Sequence, residues 1–299
     1  MSEVLVCGST ATDMIFNVEA FPSAAQKYRA SDANIVGGGC AANAAVGIAR
    51  LGGAARLAAR LGRDMVGEMT AADLARCGVD CGLVRWTDGG KSAFSSVFVD
   101  PAGERLIMAF RGSDLAEDLQ GVDLGMPDAV LADTRWPGGG AMVLARARAL
   151  GIPGVLDGEE PVDTRLAELA SHIAFSAQGL RAFTGESDIK TSLLRAYEGF
   201  GAWVCVTDGE NGVWYVEGDR VEHIGAFPVD VRDTLGAGDI WHGAFTLALA
   251  EGQAARDAII FANAAAAIKC TRPGGRLGAP TRDEVTEFIG RTRNATHTG

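Results

Sequence analysis

The chain has little of what marks a membrane or nucleic-acid protein. No apolar run among its 299 residues approaches the roughly 18 needed to cross a bilayer. It enters a strand-like run, Val4-Leu5-Val6-Cys7, without a basic leader, so no membrane partner and a cytoplasmic location are expected. Cations are the minority, 27 Lys and Arg against 38 Asp and Glu, for a formal net charge of −11. Duplex binding needs clustered excess cation, so no nucleic-acid partner is expected. Aromatic residues make up only 7% and form no platform on which bases could stack. The six cysteines are scattered and form no disulfide framework. Cys77 and Cys81 lack the second pair or nearby histidine that a zinc site requires. There is no internal repeat, linker or low-complexity tract. What remains is a soluble globular enzyme, 47% hydrophobic and 22% charged.

Glycine is abundant: 40 residues, roughly 13% against a usual value of about 7%. Without a collagen period this means many tight turns or close backbone approaches, where phosphates are commonly held. Strand-like and helix-like segments alternate along most of the chain. Strands are expected at 3–8, 54–61, 128–132, 154–157, 172–175 and 202–207, with a hairpin around 211–223. Helices are expected at 40–51, 65–76, 139–149, 178–184, 188–198, 237–250, 254–270 and 281–290. Strands separated by helices imply βαβ crossovers and a mainly parallel sheet covered on both faces. Residues 13–36 and 91–111 instead alternate polar and apolar side chains. They read either as a small antiparallel flap over a site or as an edge extension of the main sheet. The polar tail 291–299 is expected to be flexible.

The strongest chemical signal is Asp233-Thr234-Leu235-Gly236-Ala237-Gly238-Asp239, opening the apolar helix at 237–250. Gly236, Ala237 and Gly238 would present free backbone N–H groups and the positive end of the helix dipole to a phosphoryl group. Asp239 follows within the first turn, where a carboxylate can take a proton from an attacking hydroxyl; the alternative is a carboxylate that merely caps the helix. His242, one turn on, reads as a satisfied helix residue rather than a base.

These residues, through Ile240-Trp241-His242-Gly243-Ala244, resemble the C-terminal motif of the ribokinase/PfkB sugar kinases, with Trp241 where the family has Phe. Gly37-Gly38-Gly39-Cys40-Ala41-Ala42-Asn43, with Gly62-Arg63-Asp64-Met65-Val66-Gly67, resembles its N-terminal motif. The resemblance implies an α/β fold, a ribokinase-like three-layer αβα sandwich over 1–290 with a small β-sheet lid inserted from 13–36 and 91–111. It implies Mg²⁺-dependent phosphorylation of a sugar alcohol by ATP. It would give Asp13, Gly38, Gly39 and Asn43 to the sugar, and Thr207, Gly209, Gly212 and Asn263 to the nucleotide. Backbone carbonyls of Asp233, Leu235, Lys269, Arg272 and Gly274 would take a monovalent cation such as K⁺. The family's Asn-x-x-Glu element, linked to Mg²⁺, is replaced by Ser176-Ala177-Gln178-Gly179, leaving Asp157 or Glu160 to help hold the ion through water.

Within the family, Gln26-Lys27-Tyr28, Val130 to Trp136 and Ala266 to Arg276 are most similar to the subgroup acting on 6-deoxy-6-sulfofructose at its 1-hydroxyl. Lys27, Arg111 and Arg135 would then grip the anionic end of the sugar, Arg111 standing on the same strand face as Ala109, where an Asn is expected. Fructose 6-phosphate, another ketose phosphate, 2-keto-3-deoxygluconate or a neutral sugar or nucleoside are the alternatives, and a non-catalytic sensor a remote one. Homodimerisation through the lid is expected because a two-stranded flap is poorly stable alone.

Overall fold

The computed structural model describes residues 1–297. Its main sheet has eight strands. In chain order they are β1 (Glu3–Cys7), β4 (Ala54–Ala58), β9 (Ala129–Ala132), β10 (Gly154–Gly158), β11 (His172–Ser176), β12 (Trp203–Thr207), β13 (Val213–Glu217) and β14 (Arg220–Ile224). They lie in the order β14-β13-β12-β11-β10-β9-β1-β4, parallel from β12 to β4, with β13 and β14 added antiparallel. The central strands are short apolar runs such as Val4-Leu5-Val6-Cys7, all fully buried, as a sheet covered on both faces requires.

Alternate side chains feed two cores. Val4, Val6, Leu131, Val155, Ala174 and Cys205 pack under α1 (Cys40–Arg50), α7 (Ala237–Ala250) and α8 (Ala255–Cys270). Leu5, Cys7, Val130, Leu156, Ile173 and Val204 face α3 (Pro137–Leu150), α4 (Thr164–Leu169), α5 (Ala177–Thr184) and α6 (Ile189–Phe200). Alanine dominates α1 and lets it lie close to α7, where Gly243 meets the backbone of Ala44. The α2 helix (Met65–Arg76) is capped by Asp64, whose carboxylate accepts from the Gly67 amide. No described helix is long and apolar enough to cross a membrane.

The two alternating segments form a sheet of their own, so the edge-extension alternative falls. Its strands are β2 (Ala11–Asn17), β3 (Asp32–Gly38), β7 (Phe94–Val99) and β8 (Arg105–Phe110), in the order β3-β2-β7-β8. It is not a purely antiparallel flap: its central pair, β2 and β7, runs parallel. Three further differences are local. The strand expected at 54–61 breaks at Ala59 into β4 and β5 (Arg60–Gly62), and β5 pairs with the unexpected β6 (Arg85–Thr87). The six-residue α4 is too short to show helical periodicity in the sequence. The last helix, α9 (Arg282–His297), continues well past Gly290 through most of the tail expected to be flexible.

Candidate active site

The C-terminal ends of β1, β9, β10 and β11 meet the N-termini of α1 and α7 at one place, the usual ligand crevice of a parallel sheet. Gly236 precedes α7 in the left-handed region, φ +76°, which only glycine adopts freely. Beyond it the Gly238 and Asp239 amides make no hydrogen bond among the described residues, and a Cβ on Gly238 would meet open space. Unpartnered amides at the start of a helix are donors of the kind an anion takes. Ala237 is a correction to the expected set, because its amide already donates to the Thr234 carbonyl at 3.1 Å.

Asp239 faces this opening. Its Oδ2 accepts a 2.7 Å hydrogen bond from Asn43 Nδ2 on α1. Burial and the nearby Asp157 carboxylate push its pKa up to about 7, against the lowering influence of Asn43. A carboxylate poised near neutrality suits a general base. Atoms of Cys40, Asp157 and Asp239 lie within 4.8 Å of one another. Asp157, buried at the end of β10, has an Oδ1 with no hydrogen-bond partner, and burial first, then Glu159 and Asp133, pushes its pKa up. His242 is buried, with Nδ1 2.8 Å from the Gly238 carbonyl and Nε2 3.1 Å from that of Ala174. Burial holds its pKa down, and a neutral imidazole has one N–H, so it donates to one of these two carbonyls and ties that backbone to the start of α7.

On the sugar side Asp13, Gly38 and Gly39 do come together. Asp13 accepts from Ser95 Oγ at 2.6 Å, and a Cβ on Gly38 would lie 2.4 Å from its other oxygen. Gly39, φ +92°, has no room for a Cβ against the Ser9 carbonyl. Asn43 donates one amide N–H to Asp239, while its Oδ1 is buried and has no hydrogen-bond partner among the described residues. Asp133, which went unassigned in the sequence, organises this end. Its Oδ2 accepts from the Ser9 amide and hydroxyl, both at 2.7 Å, and from the Ala41 amide at 3.2 Å. Its place at the carboxyl end of a central strand, next to a glycine turn at Gly8, was the available signal.

The three expected cations are not joined by any contact. Lys27 and Arg111 are exposed and have no partner among the described residues. Arg135 is engaged elsewhere: its guanidinium pairs with Glu159 at 2.9 Å and donates to the Glu160 carbonyl at 2.8 Å. On the nucleotide side Thr207 and Gly209 border the loop after β12, and a Cβ on Gly209 would meet nothing. Gly212 instead closes the hairpin, since a Cβ there would strike the Ile224 carbonyl. Asn263 is buried, and its carboxamide accepts from Trp241 Nε1 at 2.7 Å and donates to the Gly225 carbonyl at 3.2 Å. A cavity of about 560 Å³ lies beside this loop, between Lys190, Trp214 and His223, and contains none of the groups around Asp239.

Three of the five carbonyls expected to hold K⁺ are engaged, the first of them by a cation of the protein itself. The Asp233 carbonyl accepts from the Lys269 ammonium at 2.7 Å, the Lys269 carbonyl from the Arg272 amide, and the Gly274 carbonyl from the Leu277 amide. Where Mg²⁺ is concerned, Gln178 in the altered element donates to Glu160 Oε2 at 3.1 Å, and Ser176 caps α5. The oxygens of Asp157, Glu159 and Glu160 are hard donors of the kind Mg²⁺ takes through water.

The profile of the pfkB family carbohydrate kinases matches residues 1–282. The ribokinase of Bacillus subtilis is 28% identical, covering 97% of this chain and 100% of its own length. The ATP-dependent ribose-1-phosphate kinase of Halopiger xanaduensis is 30% identical over 97% of this chain and 98% of its own. A solved structure from Agrobacterium tumefaciens, provisionally named a ribokinase, superposes with a TM-score of 0.89 at 36% identity, covering 98% and 99% of the two chains. The chain therefore belongs to the pfkB family of carbohydrate kinases, phosphotransferases of the ribokinase fold.

Proposed function

We propose that the chain transfers the γ-phosphoryl group of ATP to a hydroxymethyl group of an anionic ketose, with the 1-hydroxyl of 6-deoxy-6-sulfofructose as first choice. The observation that carries the phosphoryl-transfer reading is Asp239, pushed up to about 7, beside two unengaged amides at the start of α7. Asp239 takes the proton of the sugar hydroxyl as it attacks, and the Gly238 and Asp239 amides receive the charge of the transferring group. Asp13 and Ser95 orient the sugar from the lid sheet, and Thr207 and Gly209 border the nucleotide. When bound, Mg²⁺ neutralises phosphate charge; Asp157, with Glu159 and Glu160, would hold it through water.

The anionic substrate rests on the stretches shared with the sulfofructose subgroup and on two unpartnered cations, Lys27 and Arg111. A sugar phosphate is the second reading. Arg135 is already neutralised by Glu159, and a relative 30% identical is named for ribose 1-phosphate. The lid sheet exposes Ile35, Ile107 and Met108 at 61%, 58% and 72%, on a sheet with both edges open. A second copy of the chain covering it is the proposed homodimer, which light scattering would weigh directly. ATP use and six free thiols suit the cytoplasm.

The test is ADP release with Mg-ATP across sulfofructose, fructose 6-phosphate, fructose 1-phosphate, ribose 1-phosphate, ketodeoxygluconate, fructose, ribose and adenosine. A preference for sulfofructose of about tenfold or more in kcat/KM supports the first choice. A similar preference for a sugar phosphate moves the assignment to the second reading, and a neutral sugar as best substrate overturns both.

A further inference from the structure

Lys269 is the last lysine of α8 and is completely buried, 0% exposed. An ammonium without water must be met by acceptors or lose its charge. It is met by a single residue twice over: Nζ donates to the Asp233 carbonyl at 2.7 Å and lies 3.2 Å from Asp233 Oδ2. Asp233 is itself fixed by the Leu235 amide on Oδ1 and the Gly275 amide on Oδ2, while Arg105 from the lid approaches Oδ1 at 3.6 Å. Although partial burial works to raise it, those amides and the ammonium hold the Asp233 carboxyl below its usual range. The Arg232 and Asp233 amides both donate to the Cys270 carbonyl. The end of α8 and the loop that leads into Gly236 are thus one hydrogen-bonded body, and its internal cation is Lys269.

We infer that the Lys269 ammonium is a built-in monovalent cation: it binds the Asp233 carbonyl, one of the five expected to hold K⁺, so the enzyme needs no K⁺. A lysine ammonium carries the charge of K⁺ in a compact head with three donors, and it cannot dissociate. Paired with the Asp233 carboxylate it adds no net charge, and its effect is to fix Asp233, three residues before Gly236 at the start of α7. Lys269 is a positioning residue, acting through Asp233 on the loop that carries Gly236 to Asp239. The inference rests on the kinase reading only for its turnover readout.

The experiment compares the full-length protein and Lys269→Ala in tetramethylammonium buffer, titrating KCl or methylammonium chloride at constant ionic strength. Thermal midpoint, ADP affinity by calorimetry and ADP release are read together, so failure to find a sugar substrate leaves two readouts standing. The wild type is expected to change turnover by no more than about twofold and ADP affinity by no more than about twofold with K⁺. Lys269→Ala is expected to lose stability and ADP affinity in tetramethylammonium and to recover both with K⁺ or methylammonium, because a ligand bound only by the folded state raises Tm. A purely structural lysine would lose stability without cation-specific recovery. Activation of the wild type by K⁺ of about fivefold or more overturns the inference. So does a folded Lys269→Ala that ignores both cations, or one that matches the wild type in tetramethylammonium. Should Lys269→Ala not fold, the wild-type titration decides alone.

Discussion

The start of α7 and the lid sheet stand on either side of one site and are built on opposite rules. Around α7 the side chains are held by partners of the protein itself: Asp239 by Asn43, His242 between the Gly238 and Ala174 carbonyls, Asp233 by Lys269 and two amides. In the lid every residue of β8 is exposed, large apolar side chains face solvent, and Arg111 just beyond it has no partner. Fixed dipoles aimed at a developing charge need no reorganisation during reaction, so the chemistry belongs on the rigid side. Free side chains on an open-edged sheet are available to a ligand or a second copy of the chain, which is where the proposed substrate choice and self-association would lie. An ion pair crosses between them, Arg105 to Asp233.

Substituting Asp239 tests the rigid side most severely. Asp239→Asn keeps shape and the possibility of a hydrogen bond with Asn43 but removes the base. Turnover is expected to fall by about 10²–10⁴ with Tm nearly unchanged. Near-normal ADP release would break the comparison at its strongest point, because the α7 terminus would then be only an anion site.

A smaller effect is expected from Asn43→Ala, and it is read in pH. The base works when deprotonated, so kcat/KM should fall as pH drops through the pKa of Asp239, about 7. Asn43 donates to the charged carboxylate and lowers that pKa; removing it raises the pKa and moves the acid limb to higher pH. An acid limb that stays in place would assign the ionisation to another group, Asp157 being the nearest.

The difference between the two regions also explains what was legible in the sequence. The motif from Asp233 to Asp239 is local, so seven consecutive residues carried the anion hole and the base together. The βαβ alternation was equally visible, because buried parallel strands are short apolar runs such as Val4 to Cys7. What could not be read were pairings between distant segments. Asn43 and Asp239 are 196 positions apart, yet they share a hydrogen bond. The Asn263 oxygen accepts from Trp241, one helix away. The pattern draws attention to the Lys269 carbonyl, whereas the fold turns the Lys269 side chain inward onto Asp233. Arg135 carried a charge suited to the substrate, but Glu159, in the next strand's loop, neutralises it. In each case the residue type was informative and the partner that consumed it was not.

The smallest effect separates charge selection in the lid from scaffolding outside it. Alternation along β8 puts Arg111 on the strand face of Ala109, and the register puts Ala109 opposite Ser95 and Ser95 opposite Asp13. Being exposed, Arg111 acts on an anionic sugar through high dielectric, where a pair at about 4 Å is worth only about 1 kcal/mol. Arg111→Ala is therefore expected to raise KM several-fold for an anionic sugar, to leave a neutral sugar and Tm unchanged, and to lose its effect as salt is added. Arg135→Ala should differ in kind. It frees the Glu159 carboxylate and the Glu160 carbonyl, so KM changes for every substrate and Tm falls. If Arg111→Ala weakens neutral and anionic sugars equally, the lid does not read charge, and specificity must then lie with Asp13, Asp133 and the groups at the ends of the main-sheet strands.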